Sequence, residues 1–343
     1  MNLTTNYMGL SLKSPLVLSA SPLSEDIDNI KQAEEVGASA IVMHSLFEEQ
    51  LYVDTQLINP VVTLEHQAHS LVLTDLPISA RFRVSPNEYL EHIHTAKEKI
   101  DIPIIASLNC TSLGSWTNYA RLIEQAGADA LELNIYNIPT DMSLTATQIE
   151  QSYIDIVSAV KAAITIPVAV KLSPYFTNMA NMAQRLDDTG VDALVLFNRF
   201  YQPDINLNKI QVEPNIILSE PQAKRLPMRW IAILYGQVKA NLAATSGIHK
   251  GNDVAKMLLA GADVTMLCSI LLLRGIEYLR TIEQELCEWM QKHEFESVEQ
   301  IKGILSQKNC INPSTFERVQ YMRALSTYKP EWVHHQDTSY YFG

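Results

Sequence analysis

The sequence predicts an α/β protein, a (β/α)8 TIM barrel with a C-terminal helical extension, and the prediction rests on how its apolar strands begin. Four segments place a glycine after a helical stretch and directly before an apolar strand, where glycine is well suited to end a helix. These glycines are Gly37, Gly127, Gly190 and Gly261. Two further strands begin at a proline, in IDIPIIASLN (residues 100–109) and ITIPVAVKLS (residues 164–173). Near-continuous apolar strands that alternate with helices indicate a parallel barrel, with a doubly wound sheet as the alternative.

Eight strands can be placed in chain order on this basis. Besides the two that begin at proline, they are PLVLSA (15–20), AIVMHS (40–45), the apolar part of GADALELNIYN (127–137), the end of LDDTGVDALVLF (186–197), LAATSGI (242–248) and VTMLCS (264–269). Helical stretches lie between most of them, and apolar residues recur at helical spacing before two of the glycines. These residues are Tyr119, Leu122, Ile123 and Ala126, then Met179, Met182, Ala183 and Leu186.

The last part of the chain is predicted to be helical. The segments YLRTIEQELCEWMQKH, SVEQIKGILSQ and STFERVQYMRALSTY precede a polar, aromatic end, KPEWVHHQDTSYYFG. We expect two regions, a barrel over residues 1–307 and a helical and aromatic tail over residues 308–343 that packs on the barrel or on a partner.

Composition narrows the function classes. The chain has 343 residues, 47% of them hydrophobic, which is enough for one large core. Its formal net charge of −12 is poorly suited to binding nucleic acid or an anionic membrane by bulk attraction. The start MNLTTNYMGL has neither the basic nor the apolar part of a signal peptide, and no apolar run is long enough to span a bilayer. We therefore expect a soluble, cytoplasmic protein.

The cysteines and histidines do not predict a metal site. Four scattered cysteines lack iron–sulfur spacing and are expected to be free thiols in a reducing compartment. The histidine pairs in HQAH (His66, His69) and HIH (His92, His94) are better explained as solvated or half-buried side chains than as ligands.

Polar residues end almost every predicted strand. Active sites of (β/α)8 barrels lie at the carboxyl ends of the strands, so these residues mark the candidate site. They are His44 and Ser45, Asn109 and Cys110, Asn134, Lys171, Asn198 and Arg199, Ser246 and Gly247, and Cys268 and Ser269.

Lys171 is the most unusual of them, because VAVKLSP places an ammonium group inside an apolar strand, where an unpaired charge is costly. Because side chains alternate along a strand, Lys171 shares a face with Ala169 and Ser173. Glu132 and Asn134 share a face of their own strand for the same reason. One interpretation is a structural ion pair between Lys171 and Glu132. The other is a cation directed at a ligand that gains negative charge, such as a reduced flavin or a substrate carbonyl.

Two further patterns suggest ligand contacts. Gly247 would let the backbone approach an anion, and CSILLLRG can begin a helix whose amides face the same place, as in the usual phosphate site of these barrels. Gly247 could also be only a turn residue. Asn134 and Asn198 end the strands LELN and LVLFN, where amides suit the edge of a flavin or of a heterocyclic substrate, or a loop backbone.

The motifs LSLKSPLVLSAS, GASAIVMHS, LELN, VAVKLSPYF, LFN, SGI with LLAGAD, and FESVEQIKGIL together resemble the class 1 dihydroorotate dehydrogenase family over residues 1 to about 307. The resemblance implies an FMN-binding barrel and assigns site residues. Ser246, Gly247, Ile248, Cys268 and Ser269 would bind the FMN phosphate. Ala20 and Ser21 would lie beside the ring, with Lys171 at its N1/O2 edge. Further cofactor candidates are His44, Ser45, Asn109 and Asn134. Substrate candidates are Asn134, Asn137, Asn198 and Arg199.

The sequence also departs from the family pattern. The family follows ELN with a loop that carries a cysteine or serine base, whereas here LELN continues as IYNIPTD. The substrate loop is replaced by ISARFRVSPNEYL, a flavin lysine by His44, and a glycine pair by IILSEPQAKRLPMRW. Tyr136 and Cys110 are the nearest candidates for the base, and each would need a neighbouring cation such as Lys171 or Arg199 to make its proton more acidic.

The resemblance therefore implies an FMN-dependent oxidoreductase that acts on a CH–CH group, with dihydroorotate, the precursor of orotate in pyrimidine biosynthesis, as the first substrate to test. Electrons would pass to a soluble acceptor or a redox partner protein, and the family suggests a homodimer. The alternatives are a different small anionic substrate, a Schiff-base lyase that uses Lys171 as its nucleophile, and a flavin-binding barrel without turnover.

Overall fold

A computed structural model describes residues 1–50, 85–110, 113–199, 202–213, 216–316 and 318–327. The chain divides into two compact units, Met1–Asn309 and Cys310–Gly343. The histidine pair His66 and His69, the ISARFRV part (78–84) of the substrate-loop segment and the aromatic end of the chain (329–343) lie outside the described residues.

Eight parallel strands form a closed barrel in the first unit, which confirms the predicted (β/α)8 fold. Six of them lie within the segments that the sequence predicted, while β4 continues two residues past its predicted segment and β11 begins one residue before its own. They are β3 (Leu16–Leu18), β4 (Ala40–Phe47), β5 (Ile104–Asn109), β6 (Ala130–Asn134), β7 (Val168–Leu172), β8 (Ala193–Leu196), β11 (Asn241–Thr245) and β12 (Val264–Leu267). Neighbours in the barrel follow this order, and β12 pairs with β3 to close it.

Two antiparallel hairpins stand outside the ring. They consist of β1 (Thr5–Tyr7) with β2 (Leu10–Leu12), and of β9 (Asp204–Asn206) with β10 (Gln211–Glu213). The first hairpin covers the amino-terminal end of the barrel: Thr5 donates a hydrogen bond to the backbone oxygen of Asp263, just before β12, and the Met8 amide donates to Asn241 at the start of β11. This end is thereby closed by the chain itself.

In the described part of the chain a helix follows each barrel strand, and three more come after the helix that follows the last strand. The helices are α1 (Ile27–Glu35), α2 (Pro86–Lys99), α3 (Leu113–Gln125), α4 (Ala146–Ala163), α5 (Met179–Asp187), α6 (Arg225–Leu234), α7 (Gly251–Ala260), α8 (Ser269–Arg274), α9 (Tyr278–Lys292), α10 (Val298–Ile301) and α11 (Arg318–Thr327). Single 3-10 turns lie at Pro22–Glu25, Pro221–Lys224 and Pro313–Phe316. The four glycines predicted to stop helices all have positive φ, between 79° and 118°. None of the helices in the described part is long and apolar enough to cross a membrane.

The inside of the barrel is layered. Small side chains of β4, β6, β7, β8 and β11 pack against the first hairpin and larger residues of the other strands. The small residues are Ala40, Ala130, Ala169, Ala193 and Ala243. Two residues further along the strands, at the next inward-facing positions, stand Glu132, Lys171 and Thr245, so the interior turns polar toward the carboxyl ends.

Candidate active site

A cavity of about 210 Å³ opens at the carboxyl ends of β7, β8, β11, β12 and β3. Nine of the residues that the sequence assigned to the site line it: Ala20, Lys171, Asn198, Arg199, Ser246, Gly247, Ile248, Cys268 and Ser269. Because the carboxyl ends of all barrel strands meet at one end of the barrel, residues that are far apart in the chain lie around one cavity. One wall is formed by residues 216–219, where Ile216 and Ile217 are 85% and 62% exposed.

Lys171 forms the predicted ion pair with Glu132. Its Nζ lies 3.2 Å from Glu132 Oε1, and the two side chains are only 9% and 0% exposed. Because Lys171 also lines the cavity, the pair is structural on one side and open to a ligand on the other. The two interpretations of this lysine are therefore compatible in one geometry.

The two strand-end asparagines contact each other. Asn198 Nδ2 donates a hydrogen bond of 2.7 Å to Asn134 Oδ1, which bridges β6 to the residues after β8 across the end of β7. Asn198 lines the cavity, whereas Asn134 supports it from behind. This bond fixes the orientation of the Asn198 amide, leaving its own oxygen free of this contact.

The hydroxyl of Ser219 links two residues of the predicted phosphate site. Its Oγ accepts a hydrogen bond of 3.1 Å from the Gly247 amide and donates one of 2.8 Å to Ser269 Oγ. Ser269 Oγ also accepts from the Ser219 amide at 3.0 Å. Ser219 Oγ therefore occupies the place of an acceptor oxygen for the Gly247 amide, where one oxygen of a phosphate group could accept the same hydrogen bond.

Gly247 is more than a turn residue in this structure. It has φ of +72°, and a Cβ at this position would lie 2.4 Å from the Lys224 nitrogen and 2.8 Å from the Glu220 oxygen. The backbone of the Pro221–Lys224 turn thus packs directly on it. Two side-chain contacts hold the turn further. His249 Nε2 lies 2.7 Å from the backbone oxygen of Ser219, and Lys224 forms an ion pair of 2.9 Å with Asp253.

Four other predicted cofactor residues do not line the cavity. Ser21 is buried beside Cys268, where the two side chains interact. Ser45 and Asn109 lie inside the barrel near β5, and Ser45 Oγ is 2.8 Å from Ser107 Oγ.

His44 lies on the opposite side of β4. Its ring packs edge-on against Tyr89 of α2, with centroids 5.0 Å apart, and 5.9 Å from His92. A register shift in the pairing of β4 and β5 lies between Val42 and Ser45, and such a bulge changes which side chains face inward. Burial lowers the pKa of His44, with His92 adding to this effect and Glu25 opposing it. The structure thus places His44 in the helical layer and not at the cavity.

The two candidate bases lie in different environments. Cys110 is buried, and burial raises the pKa of its thiol well above the ordinary value, with Glu48 and Glu49 raising it further. This is opposite to what a thiolate base requires. Tyr136 is half-buried two residues after Asn134, and lines neither this cavity nor the next one.

A second cavity of about 450 Å³ lies beside the loops after β6 and β7 and against α4. Asn137, one of the predicted substrate residues, lines this cavity together with the aromatic residues Tyr153, Tyr175 and Phe176. Asn137 is exposed and belongs to a different depression from Asn198 and Arg199. The structure therefore separates the four predicted substrate residues.

Sequence reasoning missed several residues of the first cavity. Thr245 and Met266 could have been found by extending the inward alternation of β11 and β12. Ser219 has no such signal, because it follows no strand and meets Gly247 only through tertiary packing. All four cysteines are free thiols, as predicted, and the described residues contain no group of three or more His, Cys, Asp or Glu side chains that could hold a metal.

Comparison with known proteins agrees with this geometry. The sequence model of the dihydroorotate dehydrogenase family matches residues 79–290, more than half of the chain. The chain belongs to the dihydroorotate dehydrogenase family. Its members are oxidoreductases that generally bind FMN.

Individual relatives cover nearly the whole barrel. The chain is 28% identical to the catalytic subunit of dihydroorotate dehydrogenase B (NAD(+)) from Methanocaldococcus jannaschii over 88% of its own length and 97% of the relative. It is 26% identical to the subunit of the same name from Thermoplasma volcanium, over 88% of this chain and 98% of the relative. It is also 21% identical to the chloroplastic dihydropyrimidine dehydrogenase (NADP(+)) of Arabidopsis thaliana, over 88% of this chain and 76% of that protein.

Proposed function

We propose that this chain binds FMN in the cavity at the carboxyl ends of the strands and uses it to oxidise a small anionic substrate of the dihydroorotate type. The observation that supports the proposal best is the convergence of three ligand sets on one cavity. These are a buried ammonium group, a bridged pair of amides, and a backbone amide that donates to an oxygen beside the Ser269 hydroxyl.

The residues present fit FMN. The Gly247 amide already donates to one oxygen, the Ser219 hydroxyl, as it would to a phosphate oxygen, and the Ser269 hydroxyl lies 2.8 Å from that same oxygen. Ile248, Cys268, Ala20 and Lys171 line the same cavity. The volume of about 210 Å³ is below the roughly 300 Å³ at which ligand pockets usually begin, so FMN binding requires the wall at residues 216–219 to move outward.

The flavin, when bound, supplies the acceptor for a hydride that leaves one carbon of the substrate while a proton leaves the neighbouring carbon. Lys171 contributes a fixed positive charge at the bottom of the cavity, which stabilises negative charge that develops there. The Asn198 amide, oriented by Asn134, presents hydrogen-bonding atoms to a planar heterocycle. Arg199 is exposed at the rim and can pair with a substrate carboxylate.

The proton needs an acceptor. We assign Tyr136 to this role before Cys110, because burial disfavours the Cys110 thiolate, whereas Tyr136 follows Asn134 on the strand-end loop. Asn137 occupies the same loop, and its polar side chain would extend the substrate contacts toward the second cavity.

The geometry does not favour the lyase alternative. A Schiff-base nucleophile must be a neutral amine that is free to attack a carbonyl, whereas Lys171 is held in an ion pair of 3.2 Å with the buried Glu132. Electrons would leave the flavin for a soluble acceptor or a redox partner protein, which is supported by the NAD(+)-linked catalytic subunits among the relatives. We assign FMN binding to residues 1–307 and packing on the barrel or on a partner, as in a homodimer, to residues 308–343.

An anaerobic absorption spectrum tests the proposal. The purified protein is loaded with FMN, the unbound flavin is removed, and dihydroorotate is added; bleaching of the flavin band is the expected result. If the flavin binds but stays oxidised, dihydroorotate is not the substrate, and the proposed FMN-binding site stands. Absence of FMN binding would reject the proposal. Lys171→Met should slow the bleaching, whereas Lys161→Met, which removes a lysine on α4 that pairs with Asp192 at 2.6 Å, should not.

A further inference from the structure

The Glu132 carboxylate is the most deeply buried charged group of the barrel interior. Its side chain is 0% exposed, and only one of its oxygens, Oε1, has a partner, the Lys171 ammonium. The other oxygen, Oε2, is buried without a hydrogen-bond partner among the described residues. The ion pair with Lys171 is therefore the contact that holds this carboxylate.

The surroundings of the pair are closed on the side away from the cavity. Tyr7 of the first hairpin is 0% exposed; burial raises the pKa of its phenol, and Glu132 and Asp263 raise it further. The neutral phenol therefore shields Glu132 from water at the amino-terminal end. On the cavity side, burial raises the pKa of the Cys268 thiol, while Lys171 and Ser21 oppose that rise. Ser107, opposite Glu132 on β5, is neutral and bonded to Ser45.

Stability alone does not account for such a pair. Removing two charges from water costs more than their attraction usually returns, and well-packed apolar residues of similar volume often stabilise a protein as much or more. The pair is also asymmetric, because Glu132 is sealed in the barrel whereas Lys171 lines the cavity. The carboxylate lines neither of the two cavities described above, whereas its partner Lys171 lines the first, so we look for a role that acts through the lysine.

We propose that Glu132 is a positioning residue, which keeps Lys171 in its ammonium form and holds it at the bottom of the cavity. The site is thereby specialised for a ligand that carries or develops negative charge at that point. This inference rests on the proposed FMN site for its redox consequence, but the effect of Glu132 on Lys171 does not depend on any cofactor.

The first test therefore uses the protein without flavin. Cyanate is small and carbamylates only neutral amines, so its rate at each lysine follows the fraction of that amine that is unprotonated. Mass spectrometry measures the carbamylation rate of Lys171 and that of Lys161, and the ratio of the two rates is compared between the wild type and Glu132→Gln at one pH. We expect the ratio to rise at least about tenfold in the variant, because burial without a counter-charge favours the neutral amine.

An unchanged ratio in Glu132→Gln would overturn the inference. Lys161 lies on the outer helix α4 with its own partner, Asp192. Unfolding of the variant would therefore raise the carbamylation rates of both lysines and bring the ratio of Lys171 to Lys161 near one. Glu132→Asp keeps a carboxylate and should restore most of the protection of Lys171. A failure of this variant to differ from Glu132→Gln would also contradict the proposal, because a shared loss of packing would then explain both.

The second test is the reduction potential of bound FMN. If Glu132 keeps Lys171 charged, Glu132→Gln should lower the potential as Lys171→Met does, and the double variant should be no lower than Lys171→Met alone. A potential that rises or stays unchanged in Glu132→Gln would mean that Lys171 remains charged without Glu132, and would refute the inference. If the wild type binds no FMN, the proposed function fails, and the cyanate ratio still decides the role of Glu132.

Discussion

Replacement of Gly247 by alanine separates the packing role of this residue from its backbone conformation. The residue has φ of +72°, which costs an alanine about 1–2 kcal/mol. The added Cβ would also lie 2.4 Å from the Lys224 nitrogen, more than 1 Å inside the roughly 3.5–4.0 Å separation of atoms in contact. Because backbone atoms of the Pro221–Lys224 turn would have to move, overpacking adds about 1–3 kcal/mol.

Gly190→Ala is the matched control. Gly190 has φ of +79°, but a Cβ there would meet nothing within 4 Å, so only the conformational cost of about 1–2 kcal/mol applies. The free energy of unfolding of both variants is measured by urea denaturation. We expect Gly247→Ala to be less stable than Gly190→Ala by about 1–3 kcal/mol. It should also bind FMN at least tenfold more weakly, because the displaced backbone carries the Gly247 amide that would donate to the phosphate. Equal stabilities of the two variants would refute the argument that the turn packs on Gly247.

Three further predictions address single contacts. Ser219→Ala removes the oxygen that accepts from Gly247, so the free energy of unfolding of the protein without FMN should fall by about 0.5–1.5 kcal/mol. The dissociation constant for FMN should not rise, and weaker binding in titrations would mean that Ser219 is itself a ligand. Tyr136→Phe should slow flavin reduction by dihydroorotate about 100-fold or more in stopped flow with FMN affinity unchanged, and an unaltered rate would exclude it as the proton acceptor. Burial lowers the pKa of His44 below 6.5, so the unfolded chain takes up its proton first as the pH falls through 6.5 toward the lowered value, and stability is lost in that window. His44→Phe should lose less stability between pH 7.5 and 5.5 in denaturation curves, and equal losses would contradict the burial argument.

The sequence predicts the barrel well because local signals mark six of its eight strands. A glycine or proline at the start of an apolar segment is a property of a few neighbouring residues, and it located these six strands without tertiary information. Alternation within β6 and β7 likewise predicted that Glu132 and Lys171 face the same interior, and the ion pair confirms it. Such inferences succeed when the side-chain direction follows from a regular strand.

The same reasoning failed to anticipate the direction of His44, because the strand is not regular there. Counting along β4 does not reveal the register shift between Val42 and Ser45, and one extra residue is enough to turn a side chain to the other face. Ser219 escaped prediction for a different reason. Its hydroxyl reaches Gly247 across 28 residues of chain, through contacts that only the folded turn creates.

The wall at residues 216–219 connects these observations to cofactor binding. Ile216 and Ile217 are 85% and 62% exposed, so moving this segment outward gives up little apolar burial. Its strongest attachment to the cavity is Ser219, whose hydroxyl oxygen and amide are bonded to Gly247 and Ser269. A phosphate oxygen that replaced the Ser219 hydroxyl would recover the bond from Gly247 as a stronger, charge-assisted one. The polar interactions that close the cavity are therefore of the same kind as those that would hold the phosphate, which makes opening the wall and binding FMN a single exchange of partners.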